Sequence, residues 1–233
     1  KAEYEIKLKE FKLDTWSGIQ KLQNEAHQFW LTNPYREYNG HSLNLNTTGE
    51  YVYESKNSKE MYVAKGAENC KWAQFITYAP AKDCWDYSGW GNNATRVYES
   101  IVVGENADSV YFSNECWPDS LNVQYCQWTI AGKNNFGCVN LKRKQYCILN
   151  KQYSKEEYEK LKKGIIENMK KNPYIDKLGR IWSYGEFFSP GLGKFAYNKS
   201  NAMRFLPKTK EEAISFGYFW DDTENPSAKY TII

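Results

Sequence analysis

"VYESIVVGENADSVYFSNECWPDSLNVQYC", residues 97–126, repeats itself. Val97 opens "VYES", Val110 opens "VYFS" and Val123 opens "VQYC", at equal spacing. Cys84 opens "CWDYS" one equal step earlier, and "CKWA" begins at Cys70, a step longer by one. Beyond Val123, "CVNL" starts at Cys138, a step longer by two. The runs also alternate in kind. Those from Val97 and Val123 lead into an apolar patch, then Gly, then Asn, in "IVVGENADS" and "QWTIAGKNNFG". Those from Cys84 and Val110 lead into a Trp and turn residues, in "GWGNNAT" and "NECWPDS". Two unlike halves make a period of about 26 residues. The two extra residues near Lys133–Asn135 read as a loop insertion.

A period of this size, with short β-branched runs and Asn, Gly and Ser between them, predicts a β-solenoid. The expected fold is mainly β: a right-handed parallel β-solenoid of about 26 residues per coil, two strands per coil, with coils ~4.8 Å apart. The hand follows from the preference of parallel crossovers. The residues before the openings are Asn69, Asp83, Arg96, Ser109, Asn122 and Gly137. All are polar or Gly, which suits corners where side chains bond their own backbone. An antiparallel β domain with evenly spaced strands is the other reading. The V-Y-x-S runs leave open which alternate set faces inward.

The flanks read as covers for the two ends. Residues 2–13 alternate charged and apolar, as an edge strand does. Ile19, Leu22, Ala26, Phe29 and Trp30 then fall at helical spacing, predicting a helix over 17–31 that stops before Pro34. A second helix starts at Ser154, which forms an S-x-x-E box with Glu157, and ends near Asn172. Thr209 and Glu212 signal a third, short helix, and the aromatic stretch 184–198 reads as loop. The chain is thus expected to form one domain. It would have an N-terminal cap over 1–40, the solenoid over 41–152, and a C-terminal helical cap and extension over 153–233.

Of the 233 residues, 17% are aromatic, with 9 Trp and 19 Tyr. The mean hydropathy is nevertheless −0.78. Tyr and Trp combine an apolar body with a polar tip, so many are expected at the surface. The net charge of +3 is spread along the chain and does not demand a nucleic-acid partner. No apolar run approaches the ~20 residues that span a bilayer. A start at Lys1 without methionine reads as a piece cut from a longer protein, expected in the cytoplasm.

The six cysteines are Cys70, Cys84, Cys116, Cys126, Cys138 and Cys147. No C-x-x-C occurs, which argues against a zinc ribbon in this chain. Free thiols are expected, since a chain this long does not need disulfides. On the doubled period Cys84 and Cys138 share a column with Val110 between them. That places them ~9–10 Å apart, too far to bridge. Cys126 aligns with Ser100 and Ala73, a column for small residues. Cys84, Cys126 and Cys138 are expected in the core, and Cys116, in "NECWPDS", is expected to be exposed.

At this point the chain resembles a family. "NNFGCVNLKRKQYCILNKQYSKEEYEKL" (134–161) is similar to the solenoid exit of an uncharacterised family abundant in candidate-phyla-radiation (patescibacterial) bacteria. The stretch 184–220 resembles the segment that follows in those proteins. The resemblance spans roughly residues 15–220. In that family the central β-solenoid is flanked by cysteine-rich, zinc-ribbon-like segments, which this chain lacks. The resemblance implies the architecture and carries no activity.

Catalytic motifs are absent: there is no H-E-x-x-H, G-x-S-x-G or P-loop. His27 and His41 are the two histidines, and "GLGK" (191–194) is a turn. Asp83, Asp86, Arg96 and Glu99 lie on adjacent half-coils, which on a two-sheet coil need not converge. No cofactor or metal site is expected in this segment. Trp90 and Trp117 would sit one coil apart in a column. With Trp85 and Trp128 they form either a stacking surface or rim packing under the N-terminal helix. Lys142, Arg143 and Lys144 form a basic cluster, either a solvated loop or a phosphate contact. The expected function is a non-enzymatic recognition or scaffold module. By analogy with the family, its longer parent would bind nucleic acid or a nucleoprotein through zinc-ribbon arms. The alternative is a carbohydrate-binding or carbohydrate-cleaving β-helix acting on polysaccharide.

Overall fold

The computed structural model describes residues 1–33 and 43–223, so His41 and Pro34 lie outside the described residues. Two compact units result, Lys1–Tyr38 and Asn39–Ile233. The second is mainly β, a solenoid of about eight turns with a C-terminal segment.

Its turns are half as long as the sequence suggested. Val97 pairs in parallel with Val110, and Val110 with Val123. All three therefore stand in one column on successive turns. In the same turns, Ser100 meets Ser113 across a step of 13 residues, half the expected period. Elsewhere the step is shorter by one, as in Gly49↔Met61 and Lys133↔Gln145, or longer by one, as in Gln74↔Ser88.

The physical reason is a corner every three residues. From Val52 to Ile76 the buried positions are Val52, Ser55, Ser58, Met61, Ala64, Ala67, Cys70, Ala73 and Ile76. Before most of them stands a residue in the left-handed region, for example Glu54, Asn57, Glu60, Val63, Asn69, Trp72 and Phe75, with φ between 50° and 55°. A left-handed residue after each short extended pair turns the chain sharply. Four such corners close the shortest turns, with four side chains pointing inward. L-residues do not adopt this conformation freely, at ~1–2 kcal/mol each, so the stacked turns must hold it in place.

Small polar side chains do much of that holding. The Ser100 hydroxyl donates to Tyr98 O at 2.9 Å and accepts the Ser113 N–H of the next turn at 3.1 Å. Ser113 repeats this with Tyr111 O and the Cys126 N–H. Cys126 repeats it through sulfur, with Gln124 O and the Cys138 N–H. Cys138 repeats it once more, with Phe136 O and the Asn150 N–H. Ser and Cys share one column because both are small and both donate and accept. All six cysteines are free and buried. Cys116, expected at the surface, is fully buried, because it is the inward residue of its corner. Cys84 and Cys138 do not share a column. Cys84 stacks between Cys70 and Val97, while Cys138 stacks on Cys126. The alignment of Cys126 with Ser100 and Ala73 matches the observed register.

Extra residues in the longer turns gather at one corner, around Pro80, Asn92, Glu105 and Pro118. There is no insertion at 133–135, where the turns are the short ones. Asparagines line an outer corner: Asn69 donates to Asp83 at 3.0 Å, and Asn122 to Asn134 at 2.7 Å. Asn69, Asp83, Arg96, Ser109 and Asn122 all have φ of 52–56°, as expected of corner residues.

Four helices matter beyond the solenoid. Residues 2–13, read as an edge strand, instead begin with helix α1 (Ala2–Phe11). Its mixed charged and apolar sequence fits a helix with no buried residue. Helix α2 (Trp16–Thr32) matches the expected span and is capped by Thr15, whose hydroxyl accepts the Gly18 N–H at 3.1 Å. Phe29 and Trp30 on α2 are exposed. Helix α3 (Lys155–Lys171) starts at the Ser154–Glu157 capping box. Tyr158, Ile165, Ile166 and Met169 of α3 join Phe112, Tyr125, Phe136 and Ile148 in an apolar cluster. Those four solenoid residues belong to successive turns, and α3 meets the last of them, where Tyr158 packs on Tyr146 at 5.7 Å. The short helix expected after Thr209 is present at Lys210–Ser215, with its own capping box. Among the described residues, no helix is long and apolar enough to cross a membrane.

Candidate functional site

One side of the solenoid carries an aromatic outer face. Reading along it from turn to turn, the positions after the inward residue are Lys71, Trp85, Tyr98, Tyr111, Gln124, Phe136 and Ile148. The corner residues beside them are Trp72, Asp86, Glu99, Phe112 and Tyr125. The C-terminal half of this face is covered by α3 and by residues 184–188. Tyr184 donates to Gln124 Oε1 at 3.0 Å, the Gly185 N–H to Tyr125 Oη at 3.1 Å, and the Phe187 N–H to Glu99 Oε2 at 2.6 Å.

The other half is open. It forms a groove of about 700 Å³ lined by Lys71, Trp72, Asp83, Trp85, Asp86, Arg96, Tyr98, Tyr111, Phe112 and Tyr184. Trp72 and Trp85 are half exposed, at 49% and 51%. Tyr98 packs edge-on against Phe112 at 5.6 Å, and Phe112 against Tyr184 at 5.9 Å. The groove is therefore a row of rings with a wall of rings at one end.

Its charges are largely engaged. Arg96 bonds Asp108 and donates from Nε to Ser109 Oγ at 3.1 Å. Lys71 Nζ stands 3.8 Å from the Trp72 ring centroid, a cation–π contact. Trp72 donates its indole N–H to Glu60. Asp86 and Glu99 were expected to sit on different sheets. With the shorter turn they are instead corner neighbours, because Trp85 pairs with Tyr98. Burial raises the Asp86 pKa, against the pull of Lys71. Burial likewise raises that of Glu99, and the carboxylates of Glu186 and Asp86 add to it, while the Phe187 N–H opposes.

The four candidate tryptophans do not make one surface. Trp85 lines the groove. Trp90 and Trp117 are two turns apart, not one, yet their rings meet at 4.6 Å. They meet over Gly104, where a Cβ would lie 3.2 Å from Trp90 Cγ. Both are half-buried at the wide corner. Trp128 stands on another corner and donates its indole N–H to Glu115 Oε2 at 2.6 Å. Sequence reasoning missed Trp72 and Tyr184. Trp72 follows Lys71 as Asp86 follows Trp85, a signal visible once the true turn length is used. Tyr184 reaches the groove through a loop, for which spacing gives no signal.

Arg143 and Lys144 border a separate polar groove with Lys133 and Asp119. Lys142 lies outside its lining, paired with Ile130 on the neighbouring side of the turn. The described residues include no group of three or more His, Cys, Asp or Glu side chains arranged to hold a metal ion. Comparison with known proteins found no matching family model, no similar curated protein and no similar solved structure.

Proposed function

We propose that the chain is a non-enzymatic recognition module whose aromatic groove binds a carbohydrate. The observation that carries this reading is the open row Trp72–Trp85–Tyr98 beside the carboxylates of Asp83 and Asp86. Sugar rings present flat C–H faces that pack on aromatic rings, and hydroxyls that carboxylates accept. A polyanion is disfavoured in the same groove. Its two basic residues are already engaged, and Asp83 and Asp86 would repel phosphates. The basic residues Arg143 and Lys144 belong to other turns and another corner, so they do not extend the groove.

The test is titration of the protein with an oligosaccharide panel beside single-stranded RNA and DNA, at low and high salt. The reading expects glycan binding that salt barely changes and that Trp85→Ala and Trp72→Ala each weaken on the order of 10-fold. Nucleic-acid binding that falls steeply with salt, and no glycan binding, would replace it with the second reading. In that reading, zinc-ribbon arms of a longer parent supply the contacts.

A further inference from the structure

We propose that the last turns of the solenoid carry a second binding site, independent of the aromatic groove, for an acidic polysaccharide. The site is the polar groove of about 800 Å³ bordered by Lys133, Arg143 and Lys144. The register explains its shape. Asp119, Ala131 and Arg143 occupy the same corner of successive turns, with φ of 50–52°. Ala131, the small member, leaves a depression between two larger side chains. In the adjoining column Leu121, Lys133 and Gln145 stack in that order. Bases from two adjacent turns, ~4.8 Å apart, therefore border the depression.

Charge is segregated along the coil. Residues 43–119 hold eleven acidic and six basic side chains, whereas residues 120–155 hold six basic and no acidic ones. The positive excess is thus gathered on the last turns, not spread evenly. In the groove, Lys133, Arg143 and Lys144 face one acid, Asp119, which already accepts the Asn106 amide at 3.1 Å. Among the described residues, none of the three bases has an ion-pair partner. All three are exposed. The lining therefore carries two positive charges in excess, and an anion is its complement.

The rest of the lining narrows the partner. It contains no aromatic ring, so it offers nucleic-acid bases no stacking platform. It does offer the amides of Gln145 and Gln152, which donate to and accept from hydroxyls. A chain of sugars bearing sulfate or carboxylate groups supplies both complements, anions for the bases and hydroxyls for the amides. The groove is open and crosses successive turns from Asn106 to Arg143, as an extended polymer requires. The aromatic groove differs on both counts, with rings in place of amides and bases already engaged.

Dextran sulfate and polygalacturonate serve as probes, beside uncharged dextran and single- and double-stranded DNA, each titrated against the full chain at ~50 and ~200 mM salt. Both acidic polymers are expected to bind, and to weaken on the order of 10-fold across that salt range. Arg143→Asn, which suits the left-handed corner, and Lys133→Gln should each weaken them about 3- to 10-fold. The melting temperature should not change, because both side chains are exposed and unpaired. Adding Lys144→Gln to these two should remove the binding of acidic polymers and leave any dextran binding as it was. Trp85→Ala should do the reverse, so either site can fail without the other. The proposal is overturned if neither acidic polymer binds, if the triple change leaves their binding intact, or if it weakens dextran equally. DNA that binds more tightly than both acidic polymers, and is lost in the triple variant, would also overturn it and make the groove a phosphate-backbone contact.

Discussion

Cys126 shows what an inward side chain must do in so narrow a coil. Its sulfur takes the Cys138 N–H from the next turn and gives to the carbonyl two residues back. Cys126→Ser preserves both roles and should change stability by less than about 1 kcal/mol. Cys126→Ala strands a buried N–H and should cost about 1–3 kcal/mol in denaturant unfolding. Equal effects of the two changes would refute the role given to the thiol. Glu99 carries a second expectation. Its native pKa is raised, chiefly by burial, so the folded state holds the proton more tightly than the unfolded chain does. Its ionised form therefore costs stability at neutral pH, and that cost disappears as pH falls through the raised pKa. Glu99→Gln, which still accepts the Phe187 N–H, should raise the melting temperature at pH 7. The gain should shrink by about pH 4, near the ordinary Glu value. A variant that melts lower at pH 7 would contradict this sign. The residue-level signal for the coil was present in the sequence. Val52 to Ile76 places small or apolar residues at every third position. That period was hidden because regular strands and helices have periods of 2 and 3.6, and a spacing of three matches neither.

Helix α3 shows the opposite balance, because its two ends were readable beforehand. Ser154 and Glu157 close a capping box, and Tyr158, Ile165 and Met169 fall on one face. Ser154→Ala should cost ~1 kcal/mol. Tyr158→Ala should cost ~3 kcal/mol, as for other large buried aromatics, with the loss read by thermal melting. If Tyr158→Ala were as mild as Ser154→Ala, α3 would not be anchored on the last turn through Tyr146. The tryptophans were harder to place. Trp90 and Trp117 look equivalent because both lie beside a corner insertion. Those same insertions made neighbouring turns look like unlike halves, and so doubled the period. The doubling in turn set Asp86 and Glu99 on separate sheets. Trp85, singled out beforehand as an aromatic on a repeat, lines the groove. Tyr184 could not be found, because a loop 60 residues away in sequence from Gln124 delivers it.

The solenoid as one object repeats an address once per turn, so whole turns are interchangeable units. Duplicating residues 97–109 in tandem should give a folded, longer protein by circular dichroism and thermal melting, because every column stays in phase. Inserting six residues after Ser109 should break the columns and lose the cooperative transition. Were the repeat twice as long, the tandem duplication would be as disruptive as the insertion. The corners have one more consequence. At Asn57, Val63, Trp72 or Tyr125 the backbone holds φ near +50°, a conformation natural to the mirror-image amino acids. In a chain assembled by chemical synthesis, a D-residue at such a corner should be favoured over its L form. The same replacement at an inward position between corners should be rejected. The coil thus follows a pattern of handedness that alternates along a chain whose building blocks are all of one hand.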